Sequence, residues 1–189
     1  MKQISFVIPV FNEEANLRPL FQELKTVADR LETPYEVIFV DDGSTDGGPA
    51  ILDSLARAHA QVRILAMDAN SGQSAALAVG FQAARGDVVV TLDADLQNDP
   101  ADLPALLRLY GEYDLINGWR HNRRDTWSKR VASRIGNAVR NRLTGETIRD
   151  TGCSLKVMNA AMLKRIKMFR GLHRFLPTLM RLELSLIHI

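Results

Sequence analysis

The chain has 189 residues, 46% of them hydrophobic and 24% charged, which is the composition of one soluble globular domain large enough to bury a core. Cys153 is the single cysteine, which excludes an internal disulfide, and no grouping of cysteine and histidine favours zinc. A reducing, cytoplasmic setting is therefore expected. Residues 1–3 lead directly into a strand, so we expect no signal peptide, and no apolar run reaches the roughly 18 residues that a membrane span needs.

The net charge of +2 hides an uneven distribution along the chain. Residues 1–118 contain 8 Lys and Arg against 18 Asp and Glu, whereas residues 119–189 contain 16 against 4. Most of the basic excess lies in residues 119–149, with 9 basic and 2 acidic side chains. This split predicts an acidic, metal-binding half and a cationic half that contacts anions or a membrane surface, although a basic helix that is simply solvated would give the same pattern.

Strands alternate with helices through the first 118 residues. Short apolar runs predict strands at residues 4–10, 35–40, 62–67, 87–92 and 114–118. Apolar residues spaced three and four apart, together with helix-stop signals, predict helices at residues 17–31, 49–59, 73–84 and 100–110. Asn12 or Asn16 would cap the first of these helices, and Asp99 the last. The alternation predicts an α/β fold with a mostly parallel sheet covered by helices on both faces.

Two familiar nucleotide-binding signatures are missing from this pattern. The fingerprint G-x-G-x-x-G does not follow the first strand, and the phosphate loop G-x-x-x-x-G-K-[ST] occurs nowhere in the chain. Their absence argues against a nicotinamide dehydrogenase and against a P-loop enzyme.

Two carboxylates and an amide follow the fourth strand, as Asp93, Asp95 and Gln97. In extended backbone, side chains two residues apart point the same way, so these three would face one site. Their oxygen atoms suit a hard cation such as Mg²⁺ or Mn²⁺, and α/β sheets bind ligands at the carboxyl ends of their strands. A solvated acidic loop that caps the next helix is the alternative explanation of the same residues.

The pattern changes after Gly118. We expect a polar loop at 119–125, a basic helix at 126–143, a second loop at 149–153, an apolar stretch at 155–158 and helices at 160–166 and 175–182. Residues 184–189 offer no helix cap and no clear continuation, so we expect a truncated C-terminus and treat them as an uncertain tail that need not be native. The four histidines show no ligand spacing and receive no role.

Four stretches at the predicted strand ends resemble the family 2 glycosyltransferases, which have the GT-A fold. They are I-P-V-F-N-E-E at 8–14, V-D-D-G-S-T-D at 40–46, N-S-G-Q-S-A-A at 70–76 and D-A-D-L-Q at 93–97. Residues 128–137 and 149–156 resemble the polyprenyl-phosphate branch of that family, which comprises the dolichol-phosphate mannosyltransferases and the bacterial relatives that load undecaprenyl phosphate. The resemblance covers about residues 3–182.

The resemblance implies an inverting, metal-dependent transfer of a sugar from a UDP- or GDP-linked donor to a polyprenyl phosphate. It assigns Mg²⁺ or Mn²⁺ to Asp93 and Asp95, with Gln97 in support, and the cation would neutralise the leaving pyrophosphate. The donor-binding residues that it implies are Pro9, Phe11, Glu13, Asp41, Asp42, Gln73 and Asp93.

Simpler explanations remain open for several of these donor-binding residues. Asp42 could be a turn residue before Gly43, and Glu13 could serve as a first-turn charge of a helix. Helix capping would explain Gln73 equally well.

The acceptor side of the proposed site falls in the basic segment. A lipid phosphate is already anionic, so it needs cations to hold it rather than a strong general base. The resemblance places this phosphate near Arg120, Lys129, Arg130, Ser133 and Arg134. Asp150 would orient the acceptor, act as a base or position a cation-binding residue, and we group it with Asp95 and Arg120 as candidate catalytic residues. Cys153 is expected to be a small packed residue rather than a nucleophile.

These expectations divide the chain into a nucleotide-sugar-binding half at 1–118 and an acceptor-binding half at 119–183. The protein would lie at the cytoplasmic face of a membrane, and the resemblance is consistent with a dimer or tetramer. One alternative is a GT-A transferase that glycosylates a soluble or polysaccharide hydroxyl, with Asp150 as the base. Another is a non-catalytic module that binds nucleotide sugars or a membrane surface. Nucleic-acid binding is not expected, because the basic helix lacks interleaved aromatic residues.

Overall fold

A computed structural model of the protein describes residues 3–119, 152–168 and 171–187. The strands are β1 (Ile4–Val10), β2 (Tyr35–Asp41), β3 (Val62–Ala66), β4 (Val88–Thr91), β5 (Leu115–Asn117) and β6 (Lys156–Asn159). The helices are α1 (Glu14–Ala28), α2 (Gly48–Ala58), α3 (Gln73–Ala83), α4 (Leu103–Arg108), α5 (Ala160–Leu163) and α6 (Leu176–Ile187). Short 3₁₀ turns occupy Asp29–Leu31, Pro100–Asp102 and Leu172–Phe175.

The described strands form one sheet in the order β3-β2-β1-β4-β6-β5. The first four strands of that order are parallel, and β6 runs antiparallel to both β4 and β5. The predicted α/β fold with a mostly parallel sheet is therefore confirmed. Because β6 lies between β4 and β5, the described parts of the two halves of the chain share this sheet.

Helices cover both faces of the sheet, as predicted. On one face, Phe6 and Ile8 of β1 belong to a core that also contains apolar residues of α1, α2 and α4. On the other, Val7 belongs to a core shared with α3, α5 and α6. Gly80 lets α3 lie close to β1, because a Cβ at that position would come within 2.3 Å of Val7 Cγ1.

Several predicted helix ends were wrong. Neither Asn12 nor Asn16 caps α1, which begins at Glu14 without a side-chain cap. The predicted helix at 100–110 is a 3₁₀ turn followed by the short α4, although Asp99 does cap it by accepting a hydrogen bond from Ala101 N at 2.8 Å. The helix predicted at 160–166 shortens to α5, which ends at Leu163.

The last described helix, α6, runs beyond the predicted end at residue 182 and into the segment treated as a tail. Residues 181–184 (Arg-Leu-Glu-Leu) are strong helix formers, so the helix continues without any capping signal. Among the described residues, no helix combines the length and the hydropathy that crossing a membrane would require.

Candidate active site

A cavity of about 330 Å³ opens at the carboxyl ends of the parallel strands β1, β2 and β4. Its lining includes seven residues that the sequence analysis predicted for the donor or the metal, namely Pro9, Phe11, Glu13, Asp42, Gln73, Asp93 and Asp95. Val10, Asn70, Gly72 and Ala94 complete the lining. The fold therefore brings residues from four separate stretches of the sequence to one place, which is where α/β sheets bind their ligands.

Hydrogen bonds join the loops that follow β1 and β2 beside this cavity. Asn12 donates its backbone N–H to Ser44 Oγ at 3.0 Å, and its side-chain oxygen accepts from Thr45 N at 2.8 Å. Glu14 donates its backbone N–H to Asp46 at 2.9 Å and accepts from Gly47 N at 2.9 Å. These hydrogen bonds fix the loop that carries Phe11 and Glu13. The Phe11 side chain is left 44% exposed at the cavity.

The adjacent carboxylates Asp41 and Asp42 have different roles. Asp41 accepts a hydrogen bond from Ser44 N at 3.0 Å and does not line the cavity, so the turn role considered for Asp42 belongs to Asp41. Asp42 accepts from Ser71 N at 2.7 Å and from Gly72 N at 2.8 Å, although its side chain is buried. It thereby holds the loop before α3 against the cavity.

Gly43 permits the close approach of the loop that follows β2 and the loop before α3. Gly43 has a φ of +73°, in the left-handed region that glycine adopts readily. A Cβ at this position would lie 2.8 Å from the backbone nitrogen of Asn70. A larger residue at position 43 would therefore push the two loops apart.

Gln73 reaches the predicted metal motif directly. Its side-chain amide donates to Asp93 Oδ1 at 2.6 Å. The helix-capping role considered for Gln73 is not observed, because Gly72 occupies the cap position of α3 and no side chain caps it. Gln73 instead orients the Asp93 carboxylate.

The loop of the metal motif departs from the extended backbone that was predicted. It turns at residues 94–96, and Leu96 has a left-handed φ of +58°, a conformation that costs a non-glycine residue about 1 kcal/mol or more. Asp95 accepts from Gln97 N at 3.1 Å across this turn. The Gln97 side chain is exposed and lies outside the cavity lining, so the prediction that all three side chains share one face was wrong. Metal binding by Gln97 stays a prediction.

Ser154, to which the sequence analysis gave no role, holds this loop from behind. Its hydroxyl accepts from Asp93 N at 3.1 Å and from the side-chain amide of Asn98 at 2.7 Å. Its backbone carbonyl accepts from Thr91 Oγ1 at 2.6 Å. The adjacent Cys153 is buried, as expected for a packed residue, and its thiol lies 3.4 Å from Asn98 Oδ1.

His173 was also given no role, yet it contacts the first turn of α3. Its Nδ1 lies 2.8 Å from Ser74 Oγ, and its backbone N–H donates to the same oxygen at 3.3 Å. Burial lowers the pKa of His173 below its usual value of 6.5, and the positive charges of Arg174 and Lys156 lower it further. No short-range pattern could have revealed this contact, because Ser74 and His173 are 99 residues apart in the sequence.

The cavity is acidic. Glu13, Asp42, Asp93 and Asp95 line it, and none of its lining residues in the described ranges is Lys or Arg. The described residues contain no group of three or more His, Cys, Asp or Glu placed to hold a metal alone. Asp93 and Asp95 nevertheless fit Mg²⁺ or Mn²⁺, since such ions are commonly held by one or two carboxylates together with ligand phosphates.

The predicted acceptor residues lie outside the residues that the structure describes. They are Arg120, Lys129, Arg130, Ser133, Arg134 and Asp150. The described residues on either side of this segment lie next to each other, because Gly118 N donates to Leu155 O at 2.9 Å. The chain therefore leaves and re-enters the described structure next to Ser154 and the loop of the metal motif.

Comparison with known sequences places this geometry in context. Residues 5–167 match the family model described as glycosyl transferase family 2. The dodecaprenyl-phosphate galacturonate synthase of Rhizobium johnstonii is 37% identical over 181 residues, a match that covers 93% of this chain and 53% of that protein. An undecaprenyl-phosphate 4-deoxy-4-formamido-L-arabinose transferase of Aeromonas hydrophila is also 37% identical over 181 residues, covering 95% and 56%. The chain spans about half the length of these curated relatives.

Solved structures share the fold. Glucosyl-3-phosphoglycerate synthase of Mycobacterium tuberculosis in complex with UDP aligns with a TM-score of 0.72 at 24% identity, covering 97% of this chain and 68% of that one. The same enzyme with Mn²⁺, UDP-glucose and phosphoglyceric acid gives a TM-score of 0.74 at 20% identity, covering 97% and 67%. At these identities the likeness concerns the fold alone, and it confirms the predicted GT-A architecture.

Proposed function

The chain belongs to glycosyl transferase family 2, and from that membership we propose that it transfers a sugar from a nucleoside diphosphate sugar to a polyprenyl phosphate with inversion at the anomeric carbon. The names of the two relatives both include a polyprenyl phosphate, which supports that acceptor. The single observation that carries the proposal is the cavity where Asp93 and Asp95 meet the loops that follow β1 and β2.

The cavity side chains suit a nucleoside diphosphate. The exposed ring of Phe11 offers a surface on which a base can stack, and Glu13 can accept hydrogen bonds from the base or ribose. Asp42 retains acceptor capacity for the same purpose, because a carboxylate offers about four acceptor positions and the two backbone bonds use only part of them. Pro9 completes this part of the lining, and Asp41 acts indirectly by shaping the turn.

The four carboxylates would repel the diphosphate of the donor unless a cation lay between them. Bound to Asp93 and Asp95, Mg²⁺ or Mn²⁺ supplies Lewis-acid stabilisation of the leaving diphosphate. Gln73 keeps the Asp93 carboxylate oriented through its 2.6 Å hydrogen bond, so that less reorganisation is needed when the donor binds.

We assign acceptor binding to the cationic segment. Arg120, Lys129, Arg130, Ser133 and Arg134 would hold the lipid phosphate, and Asp150 would align it for in-line attack at the anomeric carbon. The same basic excess would place the protein at the cytoplasmic face of an anionic membrane. In this scheme residues 1–118 bind the donor, residues 119–183 bind the acceptor, and the protein forms a small homo-oligomer, a dimer or a tetramer.

Nucleotide release tests the proposal. The purified chain is incubated with a panel of UDP- and GDP-sugars in Mg²⁺ or Mn²⁺, with and without a short polyprenyl phosphate, and Asp95→Asn serves as the control. We expect release that requires the lipid, the metal and Asp95. Release from the wild type that is unaffected by the lipid would contradict the lipid acceptor and favour a hydroxyl acceptor. Tight nucleotide binding without any release would contradict catalysis by this chain.

A further inference from the structure

Both ends of the loop that carries the predicted metal ligands are fixed by one hydroxyl group. Asp93 N, at the start of the loop, donates to Ser154 Oγ at 3.1 Å, and the side-chain amide of Asn98, at its end, donates to the same atom at 2.7 Å. A serine hydroxyl has two acceptor positions, so these two bonds use its full acceptor capacity. Ser154 therefore closes the loop of residues 93–98 like a clasp.

The clasp itself is held by its surroundings. Thr91 Oγ1 donates to the backbone carbonyl of Ser154 at 2.6 Å, which ties the clasp to the end of β4. Asn98 is buried, and its side-chain oxygen lies 3.4 Å from the Cys153 thiol. Ser154 thus sits between a strand of the central sheet and a packed amide, and its hydroxyl has little freedom to move away from the loop.

The loop needs this support because its backbone is strained. Leu96 lies in the left-handed region at φ +58°, between Asp95 and Gln97. Such conformations persist only where the surrounding structure over-determines them, and they concentrate at ligand sites. The two bonds to Ser154 provide that constraint at each end, and they bracket both carboxylates that line the cavity.

We propose that Ser154 is a positioning residue for the metal site, fixing through Asp93 N and Asn98 the loop that presents Asp93 and Asp95 to a divalent cation. This inference rests on the proposed function, in which those carboxylates bind the cation. Hydrogen-bonding groups behind metal ligands typically change metal affinity by about 10-fold to 100-fold when removed. We therefore expect Ser154→Ala to weaken Mn²⁺ binding by about 10-fold or more.

Ser5 provides a matched control at the opposite end of the sheet. Its buried hydroxyl also joins two separate segments, because it donates to Glu36 Oε1 at 2.7 Å and accepts from Gly86 N at 2.8 Å. Ser5→Ala should lower the melting temperature at least as much as Ser154→Ala, yet leave Mn²⁺ affinity unchanged. Ser154→Thr keeps the hydroxyl and should restore most of the affinity.

The experiment is a titration with MnCl₂ in the presence of UDP or GDP, in which the EPR signal of free Mn²⁺ reports binding. Melting curves of each variant are measured in parallel. Equal Mn²⁺ affinity in the wild type and in folded Ser154→Ala would overturn the proposal, as would an equal loss of affinity in Ser5→Ala. If Ser154→Ala does not fold, Asn98→Ala removes one end of the clasp and must weaken Mn²⁺ binding, and unchanged affinity there would overturn the proposal.

The titration separates this inference from the proposed function. A wild-type chain that binds no Mn²⁺ with either nucleotide would contradict the metal site itself, and with it the proposal for Ser154. A wild-type chain that binds Mn²⁺ as tightly as the Ser154→Ala variant would leave the metal site standing and overturn only the role of Ser154.

Discussion

Carboxylates at the two ends of the central sheet have different surroundings. At the amino ends of the strands, Glu36 accepts hydrogen bonds from Ser5 Oγ and Arg85 N, both at 2.7 Å, and pairs with Arg63 at 2.6 Å. At the carboxyl ends, Asp93 and Asp95 face a cavity in which none of the described lining residues is a cation. Glu36 is satisfied within the protein by an ion pair and hydrogen bonds, whereas we propose that Asp93 and Asp95 bind a cation together with its ligand.

The largest expected effect of this difference comes from removing one carboxylate charge from the cavity. We expect Asp95→Asn to lower kcat/KM for metal-dependent nucleotide release by about 100-fold or more, because the cation loses a charged ligand at the leaving diphosphate. The folded state should keep its stability, because an asparagine oxygen can still accept the hydrogen bond from Gln97 N. Steady-state release assays and thermal melts measure both effects. Full activity in this variant would remove Asp95 from the mechanism.

The complementary change is Glu36→Gln at the other end of the sheet. It leaves Arg63 without its anionic partner, and we expect a loss of about 2 kcal/mol in the free energy of unfolding, measured by urea denaturation. The loss stays moderate because the Arg63 side chain is 27% exposed and keeps some contact with water. Mn²⁺ affinity should not change. A large drop in Mn²⁺ affinity with little loss of stability would show that the two ends are not independent.

The pH dependence of stability distinguishes the two ends more finely. Burial raises the pKa of Glu36, but hydrogen bonds from Ser5, Arg63 and Arg85 N outweigh it and leave the pKa below its usual value of 4.5. The folded state then binds fewer protons than the unfolded chain, so this stabilisation is present above pH 4.5 and lost as the pH falls through the folded-state pKa. The stability difference between wild type and Glu36→Gln should therefore shrink as the pH falls below 4.5, as measured by urea denaturation at each pH. A constant difference would contradict this account.

The smallest expected effect concerns His173, beside the cavity helix α3. Burial lowers its pKa below 6.5, with Arg174 and Lys156 adding to the shift, so the folded state favours the neutral ring. Stability should fall as the pH drops below 6.5 and through the folded-state pKa of His173. The ring resonances of His173 in NMR spectra report its pKa directly. Titration at or above 6.5 would contradict the burial of the ring against Ser74.

Signals that are local in the sequence predicted the strands and the two carboxylates of the metal motif, and the family resemblance added other residues of the cavity. An apolar run followed by a polar or acidic loop marks the end of a buried strand, and parallel strands bring those ends together. Asp93 and Asp95 were found in this way, whereas Pro9, Phe11 and Asp42 were assigned by the resemblance to the glycosyltransferase family. The apolar stretch at 155–158 overlaps β6, but it was not predicted as a strand, and its position between β4 and β5 required the structure.

What the sequence did not reveal depends on distant contacts and on local backbone turns. Ser154 bonds to residues 56 and 61 positions away, so no spacing rule connects it with the metal motif. The outward position of Gln97 follows from the left-handed Leu96, and nothing in D-A-D-L-Q signals a positive φ at leucine. The different roles of Asp41 and Asp42 depend on the fold as well, because Asp41 accepts a hydrogen bond within its own turn whereas Asp42 accepts one from the loop before α3.

The most direct test of the central claim is a crystal structure with Mn²⁺ and the nucleoside diphosphate that the release assay identifies. We predict an anomalous manganese peak bound to carboxylate oxygens of Asp93 and Asp95, with the diphosphate as a further ligand and the base beside Phe11. A manganese peak that lacks both carboxylates, or a nucleotide bound away from the carboxyl ends of the parallel strands, would contradict the account.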